Sequence, residues 1–249
     1  MNAVATVGRF GIFVGQLVRA SLTRPLPLRA ALVEAYRIGV LSLPVLLVIS
    51  AFIGSNLALQ GYNAFAPLGG QRLVGMFVAL AGVRELAPIM VAAMVAAKAG
   101  TEMASQLAVM RIREQIDALE VMAIQPHWYL VTPRLLGILL VLPALTMISI
   151  FTLTVAAYLV AVGQLGLHGG EFLSYFSQTT ELRDFGYCLV KALFFAVVIC
   201  LVSCFFGFHS KPGPTGVGDA TNAAVVVSAV GCAILNYGLS EWLFAGRGL

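Results

Sequence analysis

The stretch VRELAPIMVAAMVAAKAG, residues 83–100, is apolar over most of its length, yet it carries Arg84 and Glu85 side by side and Pro88 shortly after them. A charge that faces lipid costs about 2.5–3.5 kcal/mol on insertion scales. Both charges are therefore predicted to face protein or a wet cavity inside a membrane-spanning helix. Because neighbouring residues of a helix point about 100° apart, Arg84 and Glu85 each need a partner on another helix.

The rest of the chain has the same apolar character. Of its 249 residues, 60% are hydrophobic and 10% are charged, whereas soluble domains carry about 25% charged residues. A water-soluble fold would lack the polar surface to cover itself, so the sequence predicts an all-α integral membrane protein. Stretches of about 20 apolar residues cross a bilayer as helices. The five predicted spans are residues 38–59, 73–98, 131–163, 185–207 and 222–245.

The distribution of lysine and arginine around these spans predicts the orientation of the chain. Ten of these residues lie on one side: Arg9, Arg19, Arg24, Arg29, Arg37, Lys98, Arg111, Arg113, Arg134 and Lys211. Three lie on the other: Arg72, Arg183 and Arg247. Since cytoplasmic loops carry the excess of positive charge, the N-terminus is predicted in the cytoplasm and the C-terminus on the opposite side.

Residues 1–30 are predicted to form an interfacial helix region ahead of the transmembrane domain, residues 38–245. An amphipathic pattern within residues 7–24 suits a helix that lies on the inner leaflet. Its apolar side consists of Phe10, Phe13, Val14 and Leu17. Ile12 interrupts the pattern, and two prolines, Pro25 and Pro27, are predicted to end the helix.

A second amphipathic helix is predicted between spans two and three. One narrow apolar stripe follows the helical repeat: Val109, Ile112, Ile116, Leu119 and Ala123. The other faces carry the charges: Arg111, Arg113, Glu114, Asp117 and Glu120. Arg113 and Asp117 are predicted to pair at i, i+4. Such a helix can dock its stripe on the membrane domain and offer its charges to a soluble partner, but the pattern fits a solvated loop helix without a partner equally well.

The sequence predicts that this chain is not an enzyme, because it contains neither H-E-x-x-H nor G-x-S-x-G. The glycine-rich stretch SKPGPTGVGDA, residues 210–220, lacks the G-K-[ST] ending of a phosphate loop. It is predicted to be a cytoplasmic turn before span five, with Asp219 near the helix N-terminus. Four cysteines are predicted to pack as buried thiols without a metal: Cys188, Cys200, Cys204 and Cys232.

Further polar residues fall inside the predicted spans: Lys191, Asn236 and Glu241. Counting about 1.5 Å per residue from the outer face, tilt and long side chains bring Glu85 within reach of Lys191. A Glu85–Lys191 contact is therefore predicted, and Arg84 is predicted to reach Asn236 or a partner subunit. These four residues form the predicted intramembrane polar cluster. A clasp that holds the helices together and a part of a transport path both fit the pattern.

Several short motifs follow one another along the chain. They are Leu59-Gln60-Gly61-Tyr62, Arg84-Glu85-Leu86-Ala87-Pro88, Ala99-Gly100, Met110, Glu114-Gln115-Ile116-Asp117-Ala118-Leu119, Pro126, Pro133-Arg134 and Gly216-Val217-Gly218 with Ala220-Thr221. This set resembles the signature of the MlaE-family permeases, also called the YrbE family. The resemblance runs from about residue 38 to 245, and it implies that residues 1–249 form a single permease domain of that type.

The resemblance implies a permease subunit of an ABC transporter, which moves phospholipids or related lipids between the bacterial inner membrane and an MCE-protein conduit. In that family two permeases form the membrane core, and two cytoplasmic ATPases bind the ATP, so no cofactor is expected on the permease. A second copy or a sister permease, an MCE-domain protein and a small STAS-type subunit are the implied partners, and no nucleic acid is expected. The C-terminus would be periplasmic.

The resemblance also implies roles for individual residues. Segment 101–125 would be the coupling helix that meets the ATPase. The lipid pocket at the dimer interface would be lined by Leu57, Gln60, Tyr62 and Phe65. Departures from the family pattern at Gln106 and Asp219 leave open which ATPase the chain recognises and whether it pairs with itself or with a sister permease.

Three other functions compete with this interpretation. A gradient-driven secondary transporter would use Glu85 as a proton relay; the absence of a detectable internal repeat argues against it. A membrane-embedded lipid enzyme would need an aspartate-rich or Ser/His site, and the sequence has none near a span end. A purely structural assembly subunit is the third alternative.

Overall fold

The computed structural model describes residues 3–23 and 26–244, and the regular structure of these residues is helical throughout. The helices are α1 (Ala3–Thr23), α2 (Leu28–Phe65), α3 (Gln71–Ile112), α4 (Gln115–Val121), α5 (His127–Gly163), α6 (Gly169–Thr179), α7 (Leu182–Phe208) and α8 (Pro214–Phe244). A short 3₁₀ turn, Ala66–Leu68, follows α2. The predicted all-α fold is confirmed.

Five of these helices, α2, α3, α5, α7 and α8, are long and apolar enough to cross a membrane. They contain the five predicted spans almost entirely but extend past them. α2 begins at Leu28 rather than at residue 38, and α8 begins at Pro214 rather than at residue 222. Proline suits the first helical position because its φ is preset and its missing N–H would be unpaired there anyway. The predicted turn at residues 210–220 is therefore shorter than predicted, because residues 214–220 are helical, and Asp219 lies in the second turn of α8.

Two helices contain widened π-helical turns. In α3 these are Val78–Leu86 and Ala96–Gly100, and in α5 they are the first five residues, His127–Val131. A π-turn displaces the backbone hydrogen bonds by one residue and is often found at functional sites. Arg84 and Glu85 lie in the first of these turns.

By its contacts the chain divides into two compact units. The first unit comprises residues 1–40, 93–141 and 195–232, and the second comprises residues 41–92, 142–194 and 233–249. The described part of each unit is presented separately below.

In the first unit, α1 is fixed by its aromatic residues. The Phe13 ring meets Phe205 at 5.8 Å and Phe208 at 5.6 Å between centroids, and Leu17 is buried one turn later. The predicted apolar side of α1 is thus packed on protein. Ile12 is exposed on the opposite side of the helix, which explains why it interrupted the pattern. The predicted contact of α1 with the membrane surface stays a prediction.

The predicted ends of the chain fall partly outside the described residues. Two arginines that were used to predict the orientation lie outside residues 3–23 and 26–244: Arg24 and Arg247. So does Pro25, which was predicted to end the first helix. α1 ends at Thr23, and α2 begins at Leu28, directly after Pro27.

In the second unit, α2 and α5 cross closely. A side chain at Gly54 would overlap the Leu153 carbonyl, and the hydroxyls of Ser50 and Ser149 are 2.7 Å apart in the buried interface. Leu57 and Leu153 are members of the hydrophobic core next to these contacts. The close approach depends on small residues, as is common where membrane helices pack without a hydrophobic driving force between them.

Helix α6 was not assigned to any element by the sequence. Its Phe172 side chain is buried and meets the Tyr158 ring at 5.7 Å. Gly75 accommodates the backbone of α6, because a β-carbon there would overlap the Phe172 carbonyl. With 11 residues, α6 is too short to be recognised as a span, and its apolar face is only three turns long.

Candidate functional site

The site in the second unit begins with two backbone carbonyls of α3. The Ala87 N–H donates to the Gly82 carbonyl, five residues back, so the Val83 carbonyl loses its α-helical donor. Pro88 has no N–H, so the Arg84 carbonyl loses its donor as well. Side chains of α7 replace both: the Cys188 thiol lies 3.3 Å from Val83 O, and Lys191 Nζ lies 2.9 Å from Arg84 O.

Lys191 is fully buried, with a relative exposure of 0%. Its ammonium has three N–H groups, and three acceptors are in place. Besides Arg84 O, they are Glu85 Oε1 at 3.0 Å and Ser240 Oγ at 2.7 Å. A buried charge is tolerated when it is both paired and hydrogen-bonded. The predicted Glu85–Lys191 contact is therefore confirmed.

Glu85 also accepts hydrogen bonds from α8. Asn236 Nδ2 lies 2.8 Å from Glu85 Oε2, and Ser240 Oγ lies 2.8 Å from Oε1. The Ser240 hydroxyl is also 2.7 Å from the Asn236 carbonyl, one turn earlier. Since the hydroxyl has a single proton and its oxygen accepts from Lys191, this proton goes either to Glu85 or to its own helix. Glu85 is thereby held by two helices other than its own.

Arg84 takes a different direction from the one predicted. Its guanidinium donates to Asp184 Oδ2 at 2.9 Å and to the Thr179 carbonyl at 3.0 Å, while Asn236 binds Glu85. The prediction that Arg84 reaches Asn236 is wrong, because residues adjacent in a helix point to different neighbours. Asp184 is fully buried and was not selected from the sequence, because it lies in the first turn of α7, at the end of an apolar run.

We call these six residues the polar cluster: Arg84, Glu85, Asp184, Lys191, Asn236 and Ser240. Its two cations and two carboxylates balance in charge. Two groups of the cluster are not fully satisfied by the protein. The Glu85 side chain is 38% exposed, and Asn236 Oδ1 is buried without a hydrogen-bond donor in the described part of the chain. Glu241, the remaining predicted polar residue of the fifth span, is exposed and lies outside the cluster.

The segment between spans two and three belongs to the first unit and differs from the prediction. α3 ends at Ile112, and α4 is a separate helix from Gln115 to Val121. Glu114 breaks the run, because its φ of 57° is left-handed. The prediction of one continuous amphipathic helix is wrong. The predicted Arg113–Asp117 pair is replaced by an ion pair between Arg111 and Asp117 across the break.

The break also changes what the apolar stripe does. Ile116 is buried, and Leu119 is partly buried. Val109, Ile112 and Ala123 are exposed, so most of the stripe does not dock on this chain. The charged positions Arg113, Glu114 and Glu120 are exposed as well. The surface of segment 101–125 therefore combines uncovered apolar groups with charges of both signs.

The residues predicted to line a lipid pocket lie at the end of α2, in the second unit. Leu57 is buried in the core, Gln60 is exposed, and Tyr62 and Phe65 are partly buried. The Phe65 ring meets Phe77 at 6.0 Å, and Gly61 leaves room for the same Phe77 ring. Their role in binding lipid stays a prediction.

Comparisons with known proteins show the family of the chain. A family model described as Permease MlaE matches residues 31–242. A probable ABC transporter permease protein of Rickettsia typhi is 34% identical over 96% of this chain and 92% of its own length. One from Synechocystis sp. is 32% identical, over 88% of this chain and 84% of its own.

A chloroplast protein of Arabidopsis thaliana named TRIGALACTOSYLDIACYLGLYCEROL 1 is 32% identical over 95% of this chain and 68% of its own length. The matched residues, 31–242, include every member of the polar cluster and the whole of segment 101–125. The chain therefore belongs to the MlaE permease family and is an ABC transporter permease.

Proposed function

We propose that this permease moves phospholipids or related lipids, using ATP that a separate cytoplasmic ATPase hydrolyses. The polar cluster is the observation that carries the proposal. A buried ion pair is weak support for stability, because well-packed apolar residues of similar volume often stabilise a protein as well or better. Ionisable residues inside membrane spans usually mark a functional site. The four charges of the polar cluster therefore support a role in transport more than a role in stability.

The cluster suits a floor beneath a lipid pocket. Its charges are balanced and mostly paired, so an apolar acyl chain is not exposed to an isolated charge. The Glu85 side chain is 38% exposed, so a lipid headgroup can approach its carboxylate. The pocket itself would be lined by Leu57, Gln60, Tyr62 and Phe65 of α2, as the family resemblance implies.

Segment 101–125 supports the second part of the proposal, the partner ATPase. Val121 is 88% exposed and Met122 is 60% exposed, beside the Arg111–Asp117 ion pair. Exposed apolar groups rimmed by charges are typical of protein–protein contacts. A phosphate loop is missing from the sequence, so the permease depends on a partner for ATP hydrolysis.

The remaining assignments complete the proposed complex. A second permease, either a copy of this chain or a sister chain, would complete the membrane core. An MCE-domain protein would exchange lipid with it on the periplasmic side, and a small STAS-type subunit would join the ATPase. The chain would lie in a bacterial inner membrane with its N-terminus in the cytoplasm. The lipid in the name of the Arabidopsis relative supports a lipid cargo.

The test is lipid movement by the complete complex in proteoliposomes, with a fluorescent phospholipid as the probe. We expect movement to require ATP and the ATPase, to persist after an ionophore removes the proton gradient, and to fall at least tenfold in Glu85→Gln. Glu241→Gln is the matched control, because it makes the same change on an exposed carboxylate of α8. Movement that needs the gradient but no ATPase would establish the secondary transporter instead.

A further inference from the structure

A cavity of about 670 Å³ lies in the first unit, between the start of α2 and the start of α5. This volume is within the roughly 300–1,000 Å³ of ordinary ligand sites. Its walls combine three kinds of side chain. They include apolar Leu28 and Val33, aromatic Trp128 and Tyr129, and charged Arg29 and Glu34. Such a mixture fits a ligand that is itself part apolar and part charged.

The charges of this α2–α5 cavity are arranged in order of burial. Arg134 is nearly buried at its base, where Nη2 donates to Gln106 Oε1 at 3.0 Å. Glu34 is partly buried, and its Oε1 lies 4.0 Å from Arg134 Nε. Arg29 is exposed and makes no hydrogen bond or ion pair among the described residues. The cavity thus offers an uncommitted cation and a carboxylate that is only weakly paired.

The position of the cavity along α2 indicates its level in a membrane. The apolar run from Ile38 to Leu59 is about 33 Å long at 1.5 Å per residue, which matches a hydrocarbon core of about 30 Å. Arg29 and Glu34 precede this run by one to three helical turns, at the level of the headgroups. Tryptophan and tyrosine are enriched at that level, where Trp128 and Tyr129 stand.

An apolar track leads from the cavity toward the hydrocarbon core. Val33, Tyr36 and Val40 follow each other at i, i+3 and i+7 on α2, and all three are exposed. Residues at this spacing share one face of a helix. An acyl chain can lie along this face while its headgroup occupies the cavity.

We propose that the α2–α5 cavity binds one phospholipid whose headgroup carries a phosphate and a primary ammonium. Arg29 binds the phosphate, Glu34 binds the ammonium, and an acyl chain follows Val33, Tyr36 and Val40. With the N-terminus in the cytoplasm, this lipid comes from the cytoplasmic leaflet. The site is distinct from the pocket expected at residues 57–65. Its occupancy does not depend on the proposed transport, so it is measured without ATP.

The experiment uses the full chain in nanodiscs, with photoactivatable phosphatidylethanolamine as the probe and phosphatidylglycerol and phosphatidylcholine probes for comparison. After illumination, labelled peptides are identified by mass spectrometry. We expect phosphatidylethanolamine to label residues 28–40 and 128–134 at least fivefold more than the other two lipids. Ala30→Trp, which fills the cavity from an exposed position that lines it, should abolish this labelling without removing a charge.

Two further variants separate the parts of the headgroup. Glu34→Gln should abolish the preference for phosphatidylethanolamine and leave the phosphatidylglycerol signal, whereas Arg29→Gln should lower the labelling by all three probes. Arg9→Gln is the control, since Arg9 is another exposed arginine of the first unit. Equal labelling by the three lipids that Glu34→Gln leaves unchanged would indicate ordinary surrounding lipid and overturn the proposal, as would the absence of label on these peptides.

Discussion

The polar cluster and segment 101–125 each contain an ion pair, but the two pairs differ in their exposure to solvent. Lys191 is 0% exposed and Glu85 38%, whereas Arg111 is 43% exposed and Asp117 50%. Around Lys191 water is excluded, so this charge needs protein partners and the geometry at its ammonium is strongly determined. In segment 101–125, water can replace any partner. Two pairs of the same chemical type therefore differ in how far the protein, rather than water, determines their geometry.

The largest expected effect comes from removing the buried cation. Lys191→Met leaves Glu85 without its ion-pair partner and Arg84 O without its donor. Breaking a buried pair from one side costs about 3–5 kcal/mol. Because the Glu85 side chain is 38% exposed, we expect a fall at the lower end of this range in the free energy of unfolding, measured by denaturant titration in mixed micelles.

The double variant Lys191→Met with Glu85→Leu distinguishes the cause. If charge burial dominates, removal of the second charge should restore more than half of the lost stability. A double variant as unstable as Lys191→Met alone would show that the essential contact of Lys191 is the one with the Arg84 backbone.

A smaller effect is expected at Asn236. Asn236→Leu keeps the size of the side chain but removes the donor 2.8 Å from Glu85 Oε2. A hydrogen bond to a charged group contributes about 1.5–3 kcal/mol, and the same titration should show a loss in this range. Asn222→Leu, at an exposed position of the same helix, is the control. Equal losses in the two variants would contradict the role of Asn236 in the cluster.

Breaking the exposed Arg111–Asp117 ion pair should affect transport but hardly affect stability. Arg111→Ala should change the free energy of unfolding by less than about 1 kcal/mol, because surface ion pairs contribute little. In the complete transporter, we expect the same variant to reduce ATP-driven lipid movement. Unchanged transport together with unchanged stability would mean that Arg111 takes no part in docking the ATPase.

The smallest effect concerns the break before α4, and its sign is opposite. Glu114 has a left-handed backbone, which costs a residue other than glycine roughly 1–2 kcal/mol. Glu114→Gly should therefore stabilise the protein by about 0.5–1 kcal/mol, after the larger entropy of glycine in the unfolded chain is subtracted. Glu120→Gly inside α4 should destabilise it by about 1 kcal/mol. A loss in both variants would show that this turn is not strained.

The contrast also explains which parts of the site were predictable from the sequence. Glu85 and Lys191 stand out because each is a charge within an apolar run, and counting residues brings their depths close enough for contact. Asp184 and Ser240 do not stand out, because one lies at a helix end and the other is small and common in membrane helices. The carbonyls of Val83 and Arg84 lack backbone donors because of the π-turn and Pro88. A proline in the sequence does not by itself predict a π-turn.

The errors in segment 101–125 have a different physical origin. The apolar stripe from Val109 to Ala123 satisfies the helical repeat on both sides of Glu114, and a periodic pattern does not register one left-handed residue. The five spans were predictable because their length and hydrophobicity are imposed by the membrane. Their ends were not, since helices continue past the hydrocarbon core wherever the backbone remains favourable, as α2 does from Leu28.

The two carbonyls of α3 that accept from side chains of α7 have a consequence for synthesis of the chain. Arg84 is separated by 107 residues from Lys191, which binds its carbonyl. At about 5–20 residues per second, the ribosome makes α7 roughly 5–20 s after this part of α3. During that interval Val83 and Arg84 lack their final donors, and an unpaired backbone group in lipid costs several kcal/mol. The second span should therefore stay beside the insertion machinery, in contact with water or protein, until the fourth span arrives to complete it.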